Sequence, residues 1–315
     1  MELLLEEFKK AVDPNKTRII NVPPRFAVFG GTLDDARDGS PFVSERNLFV
    51  TSIHKFHPDL SERLIVPEIY PEWNSFGIYD DLLTFEEDLG HLTSLVILFL
   101  ESPGSLAELG AFVKIPSLRS QLQIVVRSGE IQKRNSFIWL GPLKNLQNEH
   151  ADCIHAFPHT TVAELEPHLA VLFESIREVI TSKSPSFKFS STDPRSKFLV
   201  IADLLELFVA LKKGELIDLL SHFGISINRK ALDQAVFLLK IFDLIDEGKY
   251  GKTDYILSKF RRETFIDFDS YANSAHPFDR GRFQIKVLEA IRADRWRRSF
   301  LPPALQKLAS EADPK

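Results

Sequence analysis

The feature that most constrains the fold is an apolar run, Leu95 to Leu100, that leads directly into turn residues and then into a helical pattern. The run shows no alternation of polar and apolar residues, which is typical of a strand buried on both faces of a parallel sheet. In the turn, Pro103 fixes φ, Gly104 permits positive φ, and Ser105 can cap a helix that opens near Leu106. We therefore predict an α/β domain with a turn at the carboxyl end of a central strand, where open α/β sheets bind their ligands.

Glu108 stands three residues after Ser105, and this spacing leaves two interpretations open. A glutamate at this position can complete the capping box of the predicted helix, which is a purely structural role. Alternatively, its carboxylate lies at the carboxyl edge of the sheet and acts on a ligand there. The spacing alone does not choose between them.

The string Glu-Ser-Pro-Gly-Ser-x-x-Glu-Leu-Gly-Ala-Phe, residues 101–112, resembles the active-site segment of nucleoside 2′-deoxyribosyltransferases. In particular, it is similar to the ribosyltransferase-like effectors of bacterial retrons, anti-phage systems built on a reverse transcriptase and its DNA–RNA hybrid. The resemblance implies an open, mostly parallel, doubly wound sheet of the nucleoside deoxyribosyltransferase type. It also implies that Glu108 is the catalytic carboxylate and that Ser102, Gly104 and Ser105 bind the substrate.

An earlier strand pattern, residues 25–31, ends in the pair Gly30-Gly31. Because glycine has no Cβ, the backbone can approach a ligand closely here, and an ordinary strand-to-helix loop is the alternative. The dinucleotide-binding pattern Gly-x-Gly-x-x-Gly is absent from this turn, which disfavours a Rossmann reductase. Retron effectors have a strand ending in Gly-Gly at this place, so the resemblance implies that Gly30 and Gly31 bind substrate.

Acidic residues around the helix Leu82 to Leu92 extend the predicted site. The resemblance implies that Asp80 and Asp81 bind sugar hydroxyls, since a carboxylate accepts two hydrogen bonds from a vicinal diol. The alternative for Asp81 is that it only caps the helix that follows it. Glu86 lies one helical turn after Leu82 and Leu83, so it can turn inward, and the family has a glutamate at this alignment.

The second half of the chain has a different pattern. Residues 182–196 are polar and rich in Ser and Pro, which predicts a linker after a first domain of residues 1–181. In residues 197–275 the order helix, helix, turn, helix and wing is typical of a winged helix-turn-helix domain. Residues 276–315 then form a basic helix and tail.

The resemblance also implies that this C-terminal domain contacts nucleic acid. The start of the third helix and the wing make the contacts in a DNA-binding winged helix, which selects five candidate residues. They are Asn228, Arg229, Lys230, Lys249 and Lys252. A protein adaptor is the alternative, because the third helix is mostly apolar.

Charge supports this division into two halves. Residues 1–180 carry 16 Lys and Arg against 26 Asp and Glu, a net charge of −10, whereas residues 181–315 carry 23 against 18, a net charge of +5. A basic second half fits contact with a polyanion. Trp296 lies among arginines there, which suits a nucleic-acid or partner surface, although cations in the last turn also favour the helix dipole.

Other features set the expected context. Only Cys153 is present, there is no Cys-x-x-Cys pair, and we expect neither a disulfide framework nor a metal site. The longest apolar runs fall short of the roughly 20 residues that span a bilayer, and the N-terminus is acidic and amphipathic. We therefore expect a cytoplasmic protein without a membrane association, acting as a homo-oligomer or in a larger assembly.

The resemblance implies a function in anti-phage defence. The chain would be a toxin that hydrolyses the N-glycosidic bond of NAD or a related nucleotide, with NAD as substrate and no cofactor. Reverse transcriptase and its DNA–RNA hybrid, msDNA, would hold it inactive. Two alternatives remain open at this point: a ligand-sensing nucleic-acid-binding regulator without turnover, and a salvage nucleoside deoxyribosyltransferase.

Overall fold

The computed structural model describes residues 1–34, 41–75, 77–182, 186–260, 263–272, 274 and 277–301. The α-helices in these residues are α1 Glu2–Ala11, α2 Glu45–Phe56, α3 Pro58–Ser61, α4 Glu72–Ser75, α5 Leu82–Leu92, α6 Pro103–Phe112, α7 Pro116–Arg119, α8 Ser128–Gln132, α9 Lys144–Glu149, α10 Leu169–Thr181, α11 Pro194–Phe208, α12 Lys213–His222, α13 Arg229–Ile241 and α14 Arg280–Ala293. The strands are β1 Arg18–Ile19, β2 Phe26–Phe29, β3 Leu64–Ile65, β4 Leu95–Phe99, β5 Leu122–Arg127, β6 Ile154–Phe157, β7 Phe187–Lys188, β8 Ala210–Leu211, β9 Ile245–Tyr250, β10 Thr253–Ser258 and β11 Ile266–Asp267.

The described residues divide into two compact units. The sheet unit consists of residues 23–75 and 80–182. The terminal unit consists of the described parts of residues 1–22, 77–79 and 183–315, so that the start and the end of the chain belong to the same unit. The first predicted boundary lies beside the change of unit at residue 182, but residues 1–22 cluster with the terminal unit. The predicted domain boundaries therefore stay a prediction.

The sheet unit is built on a five-stranded parallel sheet in the order β3-β2-β4-β5-β6. All five residues of β4 and all four of β2 are buried, which is the pattern expected for strands covered on both faces. Apolar residues of α2 and α10, among them Phe49 and Phe173, pack against the sheet in one core. The sequence-based expectation of a mixed α/β fold with a parallel sheet is confirmed.

The terminal unit holds two three-stranded antiparallel sheets. One has the order β11-β1-β7, and the other has the order β8-β10-β9 beside the helices α11, α12 and α13. Phe8 of α1 is fully buried and lies against Phe208, Phe223, Phe268 and Phe283. This aromatic cluster explains why the N-terminal helix belongs with the C-terminal part of the chain.

The structure corrects the predicted start of one helix. The helix of the central turn begins at Pro103 rather than near Leu106, because Ser102 caps it. The described part of the polar segment 182–196 contains β7 and the first turn of α11, and the assignment of this segment as a linker stays a prediction. The last helix ends at Ala293, and a short 3₁₀ turn, Arg297–Phe300, follows it. Within the residues that the structure describes, every helix is too short or too polar to cross a membrane.

Candidate active site

The site lies where the strand order of the parallel sheet reverses. The chain leaves β2 toward β3 on one side and returns to β4 on the other, and β2 and β4 are paired along Phe26 to Phe29. In open α/β sheets a crevice forms at such a reversal, outside the carboxyl ends of the strands. Gly30 and Gly31 follow β2, and Glu101 follows β4 closely, so that both turns reach this edge.

Glu101 organises the crevice through its carboxylate. Its Oε1 accepts hydrogen bonds from the backbone N–H groups of Gly31 (3.0 Å) and Arg46 (2.9 Å), and its Oε2 accepts from that of Glu45 (2.5 Å). Two of these amides open helix α2, whose positive end suits an anion. Burial raises the pKa of Glu101, and the three amides oppose this rise. Glu101 thus joins the β2 turn, the start of α2 and the end of β4.

Glu108 does not have the structural role that its spacing allowed. The capping box of α6 is formed by Ser102 and Ser105, each accepting the other's backbone N–H (3.1 Å). Glu108 therefore lies in the second turn of the helix, so the capping interpretation is wrong. Its side chain is half-buried, and its Oε2 is buried without a hydrogen-bond partner among the described residues. A buried carboxylate oxygen without a donor is costly for stability and calls for an explanation, of which a catalytic role is one.

Glu86 and Glu108 both have raised pKa values, and the negative charge of Glu108 contributes to the rise at Glu86. Glu86 on α5 is 7% exposed, and burial raises its pKa to about 8, with further contributions from the negative charges of Glu108 and Glu68. Burial also raises the pKa of Glu108 to about 7, and Glu68 adds to the rise while Arg46 opposes it. Two carboxyl groups with displaced pKa values in one crevice can divide the roles of acid and base near neutral pH.

Arg46 supplies the positive charge at this acidic site. Its guanidinium is 2% exposed and forms a two-point contact with Glu68, Nη1 to Oε1 at 2.5 Å and Nη2 to Oε2 at 2.6 Å. Nη2 also donates to the carbonyl oxygen of Val28 at 2.7 Å. These contacts hold the guanidinium between the end of β2 and the residues after β3. From there its positive charge opposes the rise in pKa of both Glu86 and Glu108.

Neighbouring protein atoms leave no room for a side chain at Gly30 or Gly31. Gly30 has φ +148, and a Cβ there would lie 2.8 Å from the Cβ of Phe99. A Cβ on Gly31 would lie 2.7 Å from the Cβ of Ser44 and 2.8 Å from the carboxylate of Glu101. Because these residues have no Cβ, the turn after β2 can pack closely against β4 and Glu101. A role of Gly30 and Gly31 in substrate binding stays a prediction.

Asp81, one of the two residues predicted to bind sugar hydroxyls, forms structural hydrogen bonds. Asp81 caps α5, with Oδ1 accepting from the backbone N–H of Thr84 and Oδ2 from its hydroxyl, both at 2.8 Å. These bonds lower the pKa of Asp81. Asp80 is exposed beside it. The assignment of both residues to sugar hydroxyls stays a prediction, and Asp81 would have to share its oxygens with Thr84.

The turn residues differ in their access to a ligand. Ser105 is fully buried and its hydroxyl serves the turn, donating to the carbonyl oxygen of Ser102 at 2.9 Å. Gly104 is exposed, and a Cβ on it would meet only the Ser102 hydroxyl, at 3.7 Å. Ser102 lines a cavity of about 350 Å³ at the ends of β4 and β5, which Arg127 and Trp139 also line. This volume is within the range of small-molecule sites, although Glu108 is not part of the cavity wall.

The predicted nucleic-acid contacts lie in the terminal unit, at the start of α13 and in the β9–β10 hairpin. Asn228 caps α13 through its side chain, which accepts from the backbone N–H of Ala231 at 2.8 Å, and Arg229 and Lys230 are exposed behind it. Lys249 and Lys252 are exposed in the hairpin. The structure therefore groups these five residues in two places, and their contact with nucleic acid stays a prediction.

Sequence reasoning missed three residues of the site: Glu101, Arg46 and Glu68. Glu101 carried a usable signal, because it is the first charged residue after the buried central strand. Arg46 lies in the first turn of α2, where a positive charge opposes the helix dipole, and that unfavourable position was a sign of another role. Glu68 has no comparable signal, since its place depends on the short connection after β3.

For metals, the described residues contain no group of three or more His, Cys, Asp or Glu side chains suited to hold an ion.

Comparison with known proteins places these observations in a family. The family model described as "STM3845 retron effector protein" matches residues 43–247, well over half of the chain. A relative from Escherichia coli named "Retron Ec73 putative ribosyltransferase/DNA-binding protein" is 26% identical over 235 residues, covering 69% of this chain and 72% of the relative. A second, "Retron Ec86 putative ribosyltransferase/DNA-binding protein" from Escherichia coli, is 34% identical over 103 residues, covering 30% of this chain and 32% of the relative. The matched region includes Arg46, Glu68, Glu86, Glu101 and Glu108, and the chain belongs to the STM3845 family of retron effector proteins.

Proposed function

We propose that this chain is the toxin of a retron anti-phage system and that it hydrolyses the N-glycosidic bond of NAD or a related nucleotide. The observation that carries the proposal is Glu108, a half-buried carboxylate with an unpartnered oxygen among the described residues, at the carboxyl edge of the central strand. The ribosyltransferase in the names of the relatives supports the reaction class. The strand order of the sheet supports a doubly wound, nucleoside deoxyribosyltransferase-like fold.

In the proposed reaction Glu108 faces C1′ of the ribose. When the glycosidic bond breaks, its electron pair goes to the ring nitrogen of nicotinamide, which leaves as a neutral molecule. The ionised Glu108 carboxylate stabilises the oxocarbenium-like sugar or traps it covalently. Water then attacks C1′, any Glu108–C1′ bond breaks with its electron pair returning to the carboxylate, and the water gives up a proton to solvent. A pKa of about 7 leaves a large fraction of Glu108 ionised at neutral pH, as this step requires.

Glu86 takes the complementary role in the proposal. With a pKa of about 8 it is mostly protonated at neutral pH, and its carboxyl group can donate a hydrogen bond or a proton to the leaving group. Nicotinamide needs no such proton, whereas an adenine or guanine leaving group does. Glu86 would therefore matter more for purine release than for nicotinamide release.

The terminal unit supports a regulated toxin over a salvage enzyme. The order α11, β8, α12, α13, β9, β10, with the sheet order β8-β10-β9, is the arrangement of a winged helix, which we propose for this unit. A metabolic transferase has no need of such a unit. In the proposal it contacts nucleic acid, and the reverse transcriptase with msDNA holds the enzyme inactive.

The test is release of free nicotinamide from NAD by the purified full-length chain, measured by chromatography beside Glu108→Gln. We expect release by the unmodified protein and its loss in Glu108→Gln. Glu62→Gln is the matched control, since Glu62 is an exposed glutamate of the same unit. Expression in bacteria adds a second readout, in which cellular NAD and growth fall with the unmodified protein and are preserved with Glu108→Gln.

The alternatives give different results in the same experiments. A salvage transferase exchanges bases between deoxynucleosides and leaves NAD intact. A sensor without turnover binds nucleotide as well after the Glu108→Gln substitution as before it and has no product to lose. Undiminished nicotinamide release by Glu108→Gln would exclude the proposed catalytic role.

A further inference from the structure

The terminal unit carries an aromatic and cationic surface formed by two segments distant in sequence. One is the β9–β10 hairpin tip, Lys249 to Lys252, and the other is the tail, residues 294–300. Arg297 fastens the tail, because its Nη2 contacts Glu215 Oε1 at 2.5 Å and Oε2 at 2.7 Å and its Nη1 contacts Asp294 Oδ2 at 2.8 Å. We call the hairpin tip and the tail together the hairpin–tail surface.

Aromatic contacts fix the two segments to each other. The rings of Trp296 and Tyr250 are 5.1 Å apart, and those of Phe300 and Tyr255 are 5.2 Å apart. Gly251, at the tip of the hairpin, has φ +61, and a Cβ there would lie 3.7 Å from Trp296 Cζ3. The indole is thus supported from below by the hairpin and is still 48% exposed. A large aromatic ring held in place and half open to solvent is suited to stacking.

Four cationic side chains lie on the same two segments as the exposed indole. Lys249, Lys252, Arg295 and Arg298 are all exposed on these two segments. The acidic Asp254 lies 3.6 Å from Lys249, whereas Asp294 is turned toward Arg297. The surface therefore has an excess of positive charge around one aromatic platform, the combination that binds single-stranded nucleic acids.

Helix α13, by contrast, is poorly suited to enter a DNA groove. Asp233 on this helix is paired with Lys213 at 2.6 Å, and the side chain of Gln234 donates to the backbone of Ile78 at 3.0 Å. Lys240, exposed near its end, is paired with Glu247 at 3.0 Å. The exposed positive charge that this helix offers is thus concentrated in its first residues, so the hairpin–tail surface is the better candidate.

We propose that the hairpin–tail surface binds single-stranded DNA, with an unpaired base stacked on Trp296 and neighbouring phosphates on Lys252, Arg295 and Arg298. The inference deepens the nucleic-acid part of the proposed function and rests on it. A paired base cannot present its face to Trp296, and the surface therefore selects single strands over duplex. The enzymatic reaction at Glu108 does not enter this proposal.

The test is fluorescence anisotropy of labelled 20-nucleotide oligo-dT and a 20-base-pair duplex, titrated with the full-length chain at 50 and 200 mM salt. We expect oligo-dT to bind more tightly than the duplex. Trp296→Ala should weaken oligo-dT binding about 10-fold or more, and Trp296→Phe should restore most of the loss. The double variant Arg295→Ala, Arg298→Ala should reduce the slope of log K against log salt by about 1.4.

Matched variants separate this surface from the rest of the chain. Arg282→Ala removes an exposed cation of α14, at a side chain that is 87% exposed, and should leave the affinity unchanged. Thermal unfolding of each variant shows whether it is folded, and nicotinamide release by Trp296→Ala should equal that of the unmodified protein. Failure of the DNA experiment thus leaves the glycosidase proposal standing, and the reverse also holds.

Three outcomes would overturn the inference. One is equal or tighter binding of the duplex. Another is unchanged oligo-dT binding in folded Trp296→Ala, with the loss appearing instead in Arg229→Ala. The last is tighter binding of oligo-U than of oligo-dT under the same conditions, which would assign the surface to RNA.

Discussion

Acidic side chains in the two units differ in how completely their oxygens are hydrogen-bonded. In the terminal unit Asp203 is fully buried, its Oδ1 accepts from the backbone N–H groups of Phe265 (2.8 Å) and Ile266 (3.3 Å), and its Oδ2 contacts the guanidinium of Arg280. In the sheet unit Glu86 is buried and Glu108 half-buried, but Glu108 Oε2 has no donor among the described residues.

The difference separates a carboxylate with a structural role from one for which we propose a catalytic role. Around Asp203 the chain supplies a donor to each oxygen, so the group connects α11 to α14 and the residues of β11. Around Glu108 the described residues leave one oxygen without a donor, which costs stability. The comparison predicts opposite effects of removing the negative charge. At Asp203 this should destabilise the fold, whereas at Glu108 it should stabilise the fold and abolish the proposed activity.

The largest effect is expected on catalysis at Glu108. Glu108→Gln should lower kcat/KM for nicotinamide release by about 1,000-fold or more, because the amide cannot stabilise or trap the developing cation. The midpoint of urea unfolding should stay the same or rise. A loss of stability together with activity would mean that Glu108 is structural, as Asp203 is.

Next in size is the loss of stability at Asp203. Asp203→Ala should lower the free energy of unfolding by about 3 kcal/mol, since it leaves Arg280 and two backbone amides without their acceptor. Asp279→Ala removes the N-cap of α14 and an exposed ion pair with Arg282, and it should cost about 1 kcal/mol. Chemical denaturation of both variants measures the contrast, and equal losses would mean that buried Asp203 contributes no more to stability than an exposed helix cap.

Removing the charge of Glu86 should raise the stability of the fold, the opposite of the effect at Asp203. Its folded pKa of about 8 lies above the ordinary glutamate value of 4.5, so its ionisation opposes folding, with no cost below about pH 4.5 and the full cost above about pH 8. Glu86→Gln should therefore stabilise the fold, by on the order of 2 kcal/mol at pH 8.5 and by little at pH 4.5. Thermal unfolding across this range tests it, and a pH-independent difference would argue against a buried, uncompensated Glu86.

The smallest effect concerns the field on Glu108. Glu68→Gln removes a negative charge that raises the pKa of Glu108, and it releases Arg46 to stabilise the carboxylate. In a plot of kcat/KM against pH, the acidic limb should move to lower pH by about half a unit. The shift is modest because Glu68 is 57% exposed. Arg46→Lys, which loses the two-point contact, should move the limb in the other direction or leave it in place.

Much of the sheet unit could be predicted from sequence because its signals are local. The boundaries of α5 were predicted as observed, and the predicted strand Leu95 to Leu100 was observed as β4 within one residue, since an apolar run and a cap define these elements. The start of α6 was misplaced because Ser102 and Ser105 both suit an N-cap, and only the reciprocal bonds between them identify the first as the cap.

Long-range contacts explain what sequence reasoning missed. The Arg46–Glu68 contact joins residues 22 positions apart, and neither position has a local pattern that predicts the other. The pairing of β1 with β7 and β11 is less predictable still, because β1 has two residues and its partners come more than 160 positions later. The order of elements in the terminal unit was anticipated, and its winged-helix identity stays a prediction.

The order of the elements along the chain decides which of the two units can fold first during synthesis. All strands of the parallel sheet have been made once the ribosome has passed Phe157, and α10 completes that unit at Thr181. By contrast, α1 and β1 precede that unit in the chain, and their partners in β11 and around Phe268 follow it. A chain made as far as Thr181 thus has the elements of the candidate active site and a strand β1 without its partners, and the terminal unit closes only after the residues that follow the sheet unit have been translated.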